Sequence, residues 1–132
     1  MYVLDTDHCV ELLRGNPKIV FRFKSLRRDT AICTTMITIA ELLYGTYRLP
    51  DPQKRLKDID GFREDIEVLG LDLAAARVYG QLKAELATRG EVLADNDLFI
   101  ASITLSRGLV LVTHNSQHYK RISGLHLEDW VE

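Results

Sequence analysis

The feature that most constrains this chain is the run Leu109-Val110-Leu111-Val112, four aliphatic residues set between Gly108 and Thr113. A strand with no polar position on either face must be covered on both, the situation of a parallel strand between layers of helix. Three other short apolar runs read as strands: Tyr2-Val3-Leu4, Ala31-Ile32-Cys33-Thr34 and Glu67-Val68-Leu69. Between them the period changes. Cys9, Val10, Leu12 and Leu13 share a helical face, stopped by Gly15-Asn16-Pro17, and helices are expected over 19–28, 38–48, 52–65, 73–88 and 95–107. Short strands alternating with longer helices predict an α/β sandwich on a largely parallel sheet.

A chain of 132 residues predicts one domain, and its 46% apolar and 27% charged composition excludes disorder. A domain of this length needs neither disulfide nor metal to fold. Cys9 and Cys33 stand 24 apart in no C-x-x-C pattern and are expected to be reduced and buried. With no signal-like start and no apolar stretch near membrane length, the expected location is the cytoplasm, with no membrane partner. The net charge of −2 weighs against a general nucleic-acid coat protein while leaving room for a local basic patch.

In parallel sheets ligands bind beyond the carboxyl ends of the strands. Asp5 and Asp7 follow the first strand, Glu41 lies in the helix after the second, Thr113 and Asn115 follow the aliphatic one, and Asp95 and Asp97 open the helix before it. Converging carboxylates repel and raise one another's pKa, a conflict that a hard divalent cation removes. Such a cation also acidifies a bound water and neutralises charge on a phosphate, so the set suits phosphodiester hydrolysis. Each acid has a plain structural role open to it as well. Asp5 and Asp7 fit an Asx turn, Thr38-Ile39-Ala40-Glu41 fits a capping box, and Asp95 fits a helix N-cap with Asp97 in its first turn. His114 and His118, four apart, have the spacing of two ligands on a helix face, but no Glu or Cys pair completes a zinc site. Arg22, Lys24, Arg27 and Arg28 form the densest basic run, with Lys54, Arg55 and Lys57 next; each is either a solvated face or a track for an RNA backbone.

Four blocks then stand out: Tyr2-Val3-Leu4-Asp5-Thr6-Asp7, Ile39-Ala40-Glu41-Leu42-Leu43-Tyr44-Gly45, Asn96-Asp97-Leu98-Phe99-Ile100-Ala101-Ser102 and Leu111-Val112-Thr113-His114-Asn115. In order and spacing they resemble the signature blocks of PIN-domain ribonucleases, and most of all the VapC toxins of VapBC toxin–antitoxin pairs. Tyr119-Lys120-Arg121-Ile122 and Leu127-Glu128-Asp129-Trp130 are similar to that group's C-terminus. The resemblance implies a single PIN domain over 1–132, a three-layer sandwich, and a Mg²⁺- or Mn²⁺-dependent endoribonuclease acting on structured RNA, with tRNA the favoured class. By position it makes Asp5, Glu41 and Asp97 the metal-holding acids and Asn115 the fourth catalytic position. Thr113 becomes the hydroxyl that supports that corner, and Asp7 an accessory acid where the commoner motif has Asn. It further implies a homodimer and a VapB-type antitoxin whose C-terminal segment fills the active-site groove. Two alternatives stand beside it: a receiver-like module, for which only Asp72 offers a phospho-acceptor, and a catalytically silent PIN domain kept for binding.

Overall fold

The computed structural model describes residues 1–131. Its elements run β1 (Tyr2–Leu4), α1 (Thr6–Leu13), α2 (Pro17–Leu26), β2 (Ile32–Thr35), α3 (Met36–Tyr47), α4 (Gln53–Asp65), β3 (Glu67–Leu69), α5 (Leu73–Thr88), α6 (Asp95–Ser106), β4 (Val110–Val112), α7 (Ser116–Tyr119) and β5 (His126–Glu128). The strands form one sheet in the order β3-β2-β1-β4-β5, and every pairing is parallel.

Alternation along the strands divides the core in two. Val3, Cys33 and Leu111 point to one face, where Ala75 and Leu86 of α5, Leu98, Ala101 and Ile103 of α6, and Tyr119 pack. Leu4, Ile32 and Val112 point to the other, beneath Cys9, Ile19, Phe23, Ile39, Ile59, Phe62 and Trp130. Side chains that alternate with period two and are buried on both faces account for the uninterrupted aliphatic run. The result is the expected three-layer sandwich, its sheet wholly rather than mostly parallel. Cys9 and Cys33 are buried and unbridged. Among the described residues no helix is long and apolar enough to cross a membrane.

Several boundaries differ from the sequence expectation by a residue or two, for local reasons, among them the start of α2 at Pro17. α3 begins at Met36 because the Thr35 side chain, not that of a later residue, accepts the Thr38 amide at 3.1 Å. α2 ends at Leu26, where Arg27 takes the C-cap. The single turn α7 and the edge strand β5 have no counterpart in the hydrophobic pattern, because each is too short to display a period.

The strand order reverses at β1, with β2 and β3 on one side and β4 and β5 on the other. Chains leaving β1 and β4 therefore diverge, which opens a crevice above their carboxyl ends. Asp5 stands at the end of β1 and Thr113 at the end of β4. The Asp5 amide donates to the Val112 carbonyl at 2.9 Å, so the two ends are tied at the base of the crevice.

Candidate active site

Asp5 caps α1: its Oδ1 accepts the Thr6 amide at 2.8 Å. The other oxygen accepts the Thr113 hydroxyl at 2.8 Å, and the carboxylate is only 3% exposed. Burial pushes its pKa up to about 6, helped by the negative charge of Asp7 and opposed by the bonds from Thr113 and Thr6. A carboxylate so placed gains from any cation that shares the crevice.

Glu41 projects from the second turn of α3 and does not cap its own helix. Its Oε1 accepts the Thr6 hydroxyl from α1 at 2.6 Å, and Thr6 Oγ1 lies 3.1 Å from Thr38 Oγ1. The capping-box reading of Thr38 and Glu41 is thereby overturned, since Thr35 already satisfies that turn. Asp97, in the first turn of α6, faces the same crevice. Tyr119 donates its hydroxyl to Asp97 Oδ1 at 3.4 Å, and His118 Nδ1 lies 4.0 Å from Oδ2. Burial and then the charge of Glu41 raise the Asp97 pKa. Tyr119 is fully buried with its phenol facing both Asp5 and Asp97, and burial followed by their charges drives its own pKa up.

Asp7 is saturated by hydrogen bonds. Oδ1 takes the His8 amide at 2.7 Å and lies 3.0 Å from His8 Nδ1, while Oδ2 takes the His114 amide at 2.9 Å, with the Thr113 hydroxyl 3.5 Å away. Burial works against its ionisation, but the bonds from His8 and His114 outweigh it and hold the pKa below the usual carboxylate value. Asn115 is exposed ahead of α7; its amide donates to Thr113 Oγ1 at 3.0 Å, and its side chain does not cap the helix. Asp95 does not cap α6, because Ala94 holds that position. Its carboxylate instead accepts from Lys83 at 2.9 Å and from the Tyr79 hydroxyl at 3.0 Å on α5. His114 precedes α7, so it does not share a helix face with His118: its Nδ1 lies 2.7 Å from Asp129, away from Asp97.

The acids of the crevice offer oxygen donors, two of them held above their usual pKa by burial and by neighbouring carboxylates, Asp7 beside Asp5 and Glu41 beside Asp97. That donor chemistry suits a hard divalent cation and not zinc. Among the described residues no three His, Cys, Asp or Glu side chains form a ready-made coordination set. A cation that keeps most of its waters needs only one or two carboxylates from the protein, so the set fits it. Thr6, Tyr119 and His8 were not singled out in the sequence as site residues. A Thr between two motif acids, and a His beside one, carry no signal until the fold closes around them.

The basic run is split by the structure. Arg22 pairs with Glu128 at 3.5 Å and lies over the Trp130 ring. Lys24 and Arg27 instead border a groove between α2 and α4 together with Lys54 and Lys57. Leu13, Lys54 and Asp58 continue that groove into a second recess with Arg14 and Arg55, and these two lead on to a recess of about 240 Å³ lined by Thr6 and Glu41. Arg28 is exposed beyond the end of α2.

The chain matches the PIN domain family over residues 2–125. It is 37% identical over 129 residues to the tRNA(fMet)-specific endonuclease VapC of Shigella flexneri, covering 98% of this chain and 97% of that protein. The VapBC2 complex of Rickettsia felis, bound to a DNA fragment from its promoter, superposes with a TM-score of 0.92 at 30% identity over 98% of each chain. DNA-bound VapBC from Salmonella typhimurium gives 0.90 at 38% identity, over 98% of this chain and 97% of that one. The receiver-like alternative falls with these matches. Asp72, its one acceptor, caps α5 by accepting the Ala75 amide and pairs with Arg107.

Proposed function

The chain belongs to the VapC ribonucleases of the PIN-domain family, whose members are metal-dependent, and from that premise we propose that it cleaves structured RNA, tRNA above all, with Mg²⁺ or, in its place, Mn²⁺. The observation that carries the reading is the crevice at the β1/β4 switch point, where carboxylates from three elements lie close enough to feel one another, burial and then Asp7 raising the pKa of Asp5, burial and then Glu41 that of Asp97. Asp5, Glu41 and Asp97 are the residues that hold the ion, and Asn115 is the neutral fourth position. When bound, the ion supplies an acidified water and neutralises charge on the scissile phosphate. Thr113 fixes Asp5, Thr6 aims Glu41, and Tyr119 spaces Asp5 from Asp97. Asp7 shapes the site as the accessory acid, binding the His8 ring on one oxygen and the His114 amide on the other.

RNA reaches the crevice along the α2/α4 groove, its phosphates against Lys24 and Arg27, with Arg28 beside them. Arg22 belongs to this surface only through its exposed edge, since Glu128 and Trp130 engage it. The same crevice receives the C-terminal segment of a VapB-type antitoxin. The working unit is one PIN domain paired as a homodimer in the cytoplasm, a toxin held in check by its antitoxin.

The test is cleavage of total tRNA by the purified chain in Mg²⁺, Mn²⁺ or EDTA, beside Asp97→Asn. Metal-dependent cuts by the wild type, lost in the variant, are expected. Cleavage that survives EDTA, or full activity of Asp97→Asn at limiting metal, overturns the reading.

A further inference from the structure

One histidine joins the crevice to the end of the described chain. His8 is fully buried, and both of its ring nitrogens are engaged. Nε2 accepts the Trp130 peptide N–H at 3.1 Å, and Nδ1 lies 3.0 Å from Asp7 Oδ1. A peptide nitrogen only donates, so Nε2 must present its lone pair and the ring proton must sit on Nδ1. That proton then points at a carboxylate oxygen, which only accepts. Asp129 Oδ1 is a poorer partner for Nε2, at 3.5 Å and already accepting the Val131 amide at 2.9 Å. A single tautomer therefore satisfies every group around the ring, and it is the one that grips Asp7.

Asp7 passes the constraint on. Its other oxygen takes the His114 amide and faces the Thr113 hydroxyl, which itself donates to Asp5. The ring closes on the far side, where His114 Nδ1 lies 2.7 Å from Asp129 Oδ2, next to Trp130. From Trp130 the path runs by hydrogen bonds through His8 to Asp7 and on to the His114 amide, whose backbone carries it to Thr113, and the Thr113 hydroxyl donates to Asp5.

We propose that His8 is a positioning residue for RNA cleavage, an Nδ1–H tautomer, fixed by the Trp130 amide, that locks Asp7 beside the crevice. The proposal rests on the ribonuclease reading above. It differs from a merely structural role in one respect: the Asp7 bond, not the Trp130 bond, carries the effect on cleavage. Outer partners that orient ligands in this way change metal affinity or rate by about ten- to a hundred-fold.

Two substitutions separate the bonds. In His8→Gln the amide oxygen reaches the Nε2 position and keeps the Trp130 N–H, while the donor to Asp7 is lost. In His8→Asn the amide nitrogen occupies the Nδ1 position and keeps Asp7, while the Trp130 bond is lost. His8→Gln is expected to leave Trp130 fluorescence near wild type, weaken direct Mn²⁺ binding, and lower kcat about ten-fold or more with KM for RNA unchanged. His8→Asn is expected to shift Trp130 emission yet keep most of the cleavage and Mn²⁺ affinity. Long-range ¹⁵N NMR of the wild type should report the Nδ1–H tautomer. An Nε2–H tautomer, or loss of Mn²⁺ affinity and cleavage in both variants in proportion to their loss of stability, overturns the proposal. If the wild type cleaves no RNA with any metal, the ribonuclease reading fails instead, while the tautomer and the Mn²⁺ measurements still judge His8.

Discussion

Asp5 shows how one residue serves fold and site together. Its Oδ1 caps α1 and its Oδ2 holds Thr113, yet its burial raises the carboxyl to about 6. The sign of the pH effect follows. The folded chain keeps this proton to higher pH than the unfolded chain, so the associated stability is complete below about 4 and is lost as pH rises through about 6. For the metal-free protein we expect thermal stability to fall across that window, by on the order of 3 kcal/mol from Asp5. Asp5→Asn should flatten the slope, and added Mg²⁺ or Mn²⁺ at pH 7.5 should raise the wild-type Tm while leaving the variant unmoved. Calorimetry from pH 4 to 8 with and without metal checks both points; an Asp5→Asn slope equal to wild type removes Asp5 as the source. Tyr119→Phe isolates the phenol in the same way. The ring stays in the core, so folding should hold to within about 1–2 kcal/mol. The freed Asp5 and Asp97 should then need more metal for half-maximal cleavage, which a metal titration of the rate reads directly.

At the level of elements, a helix start and an active site compete to explain the same acids, and only hydrogen bonds decide between them. Glu41 lies three residues after Thr38 and so looks like half of a capping box, but Thr35 caps α3 and Glu41 reaches across to Thr6 on α1. Glu41→Gln should therefore leave helix content and Tm close to wild type, whereas Thr35→Ala, which removes the real cap, should cost about 1 kcal/mol. Circular dichroism melts of the two variants make the comparison, and a larger loss in Glu41→Gln would restore the capping role. The long elements were legible because their signals are local: the period of residues 73–88 and the aliphatic run of β4 each declare one answer. Asp5, Glu41 and Asp97 were legible as motif positions, and their meeting followed from placing each at the same end of a parallel sheet. What stayed hidden was relational. β5 is three residues of an edge strand, recognisable only once β4 offers it a partner. Thr6 and Tyr119 are ordinary residues until the fold sets Glu41 beside one and Asp97 beside the other, and His8 until the Trp130 amide reaches its ring. Asp95 was legible in the wrong sense, because the Lys83 and Tyr79 that take it up lie on another helix.

Across the whole molecule, a net charge of −2 hides an uneven distribution. The acids of the site gather at the carboxyl ends of β1 and β4, while Lys24 and Arg27 of the α2 end face Lys54 and Lys57 across a groove that also holds Asp58 and Asp65, so a polyanion has a cationic track beside the acidic crevice. Arg22 is set apart from its neighbours in the run because it closes α2 onto the C-terminal segment through Glu128 and Trp130. Lys24 and Arg27 border the groove beside Lys54 and Lys57, with the Arg27 guanidinium over the Phe23 ring. Phosphate contacts release counterions, so each one lost should flatten the slope of log affinity against log salt by about 0.7–0.9. Lys24→Ala with Arg27→Ala should therefore weaken RNA binding at low salt and reduce the slope by about 1.5, with Tm nearly unchanged. Arg22→Ala should do the reverse, leaving the slope in place while loosening the packing of Trp130, a change its fluorescence would report. A salt titration of RNA affinity for both variants, in EDTA to prevent cleavage, distinguishes the two surfaces. If the double variant keeps the wild-type slope, the α2/α4 groove is a solvated face and RNA enters the crevice by another side.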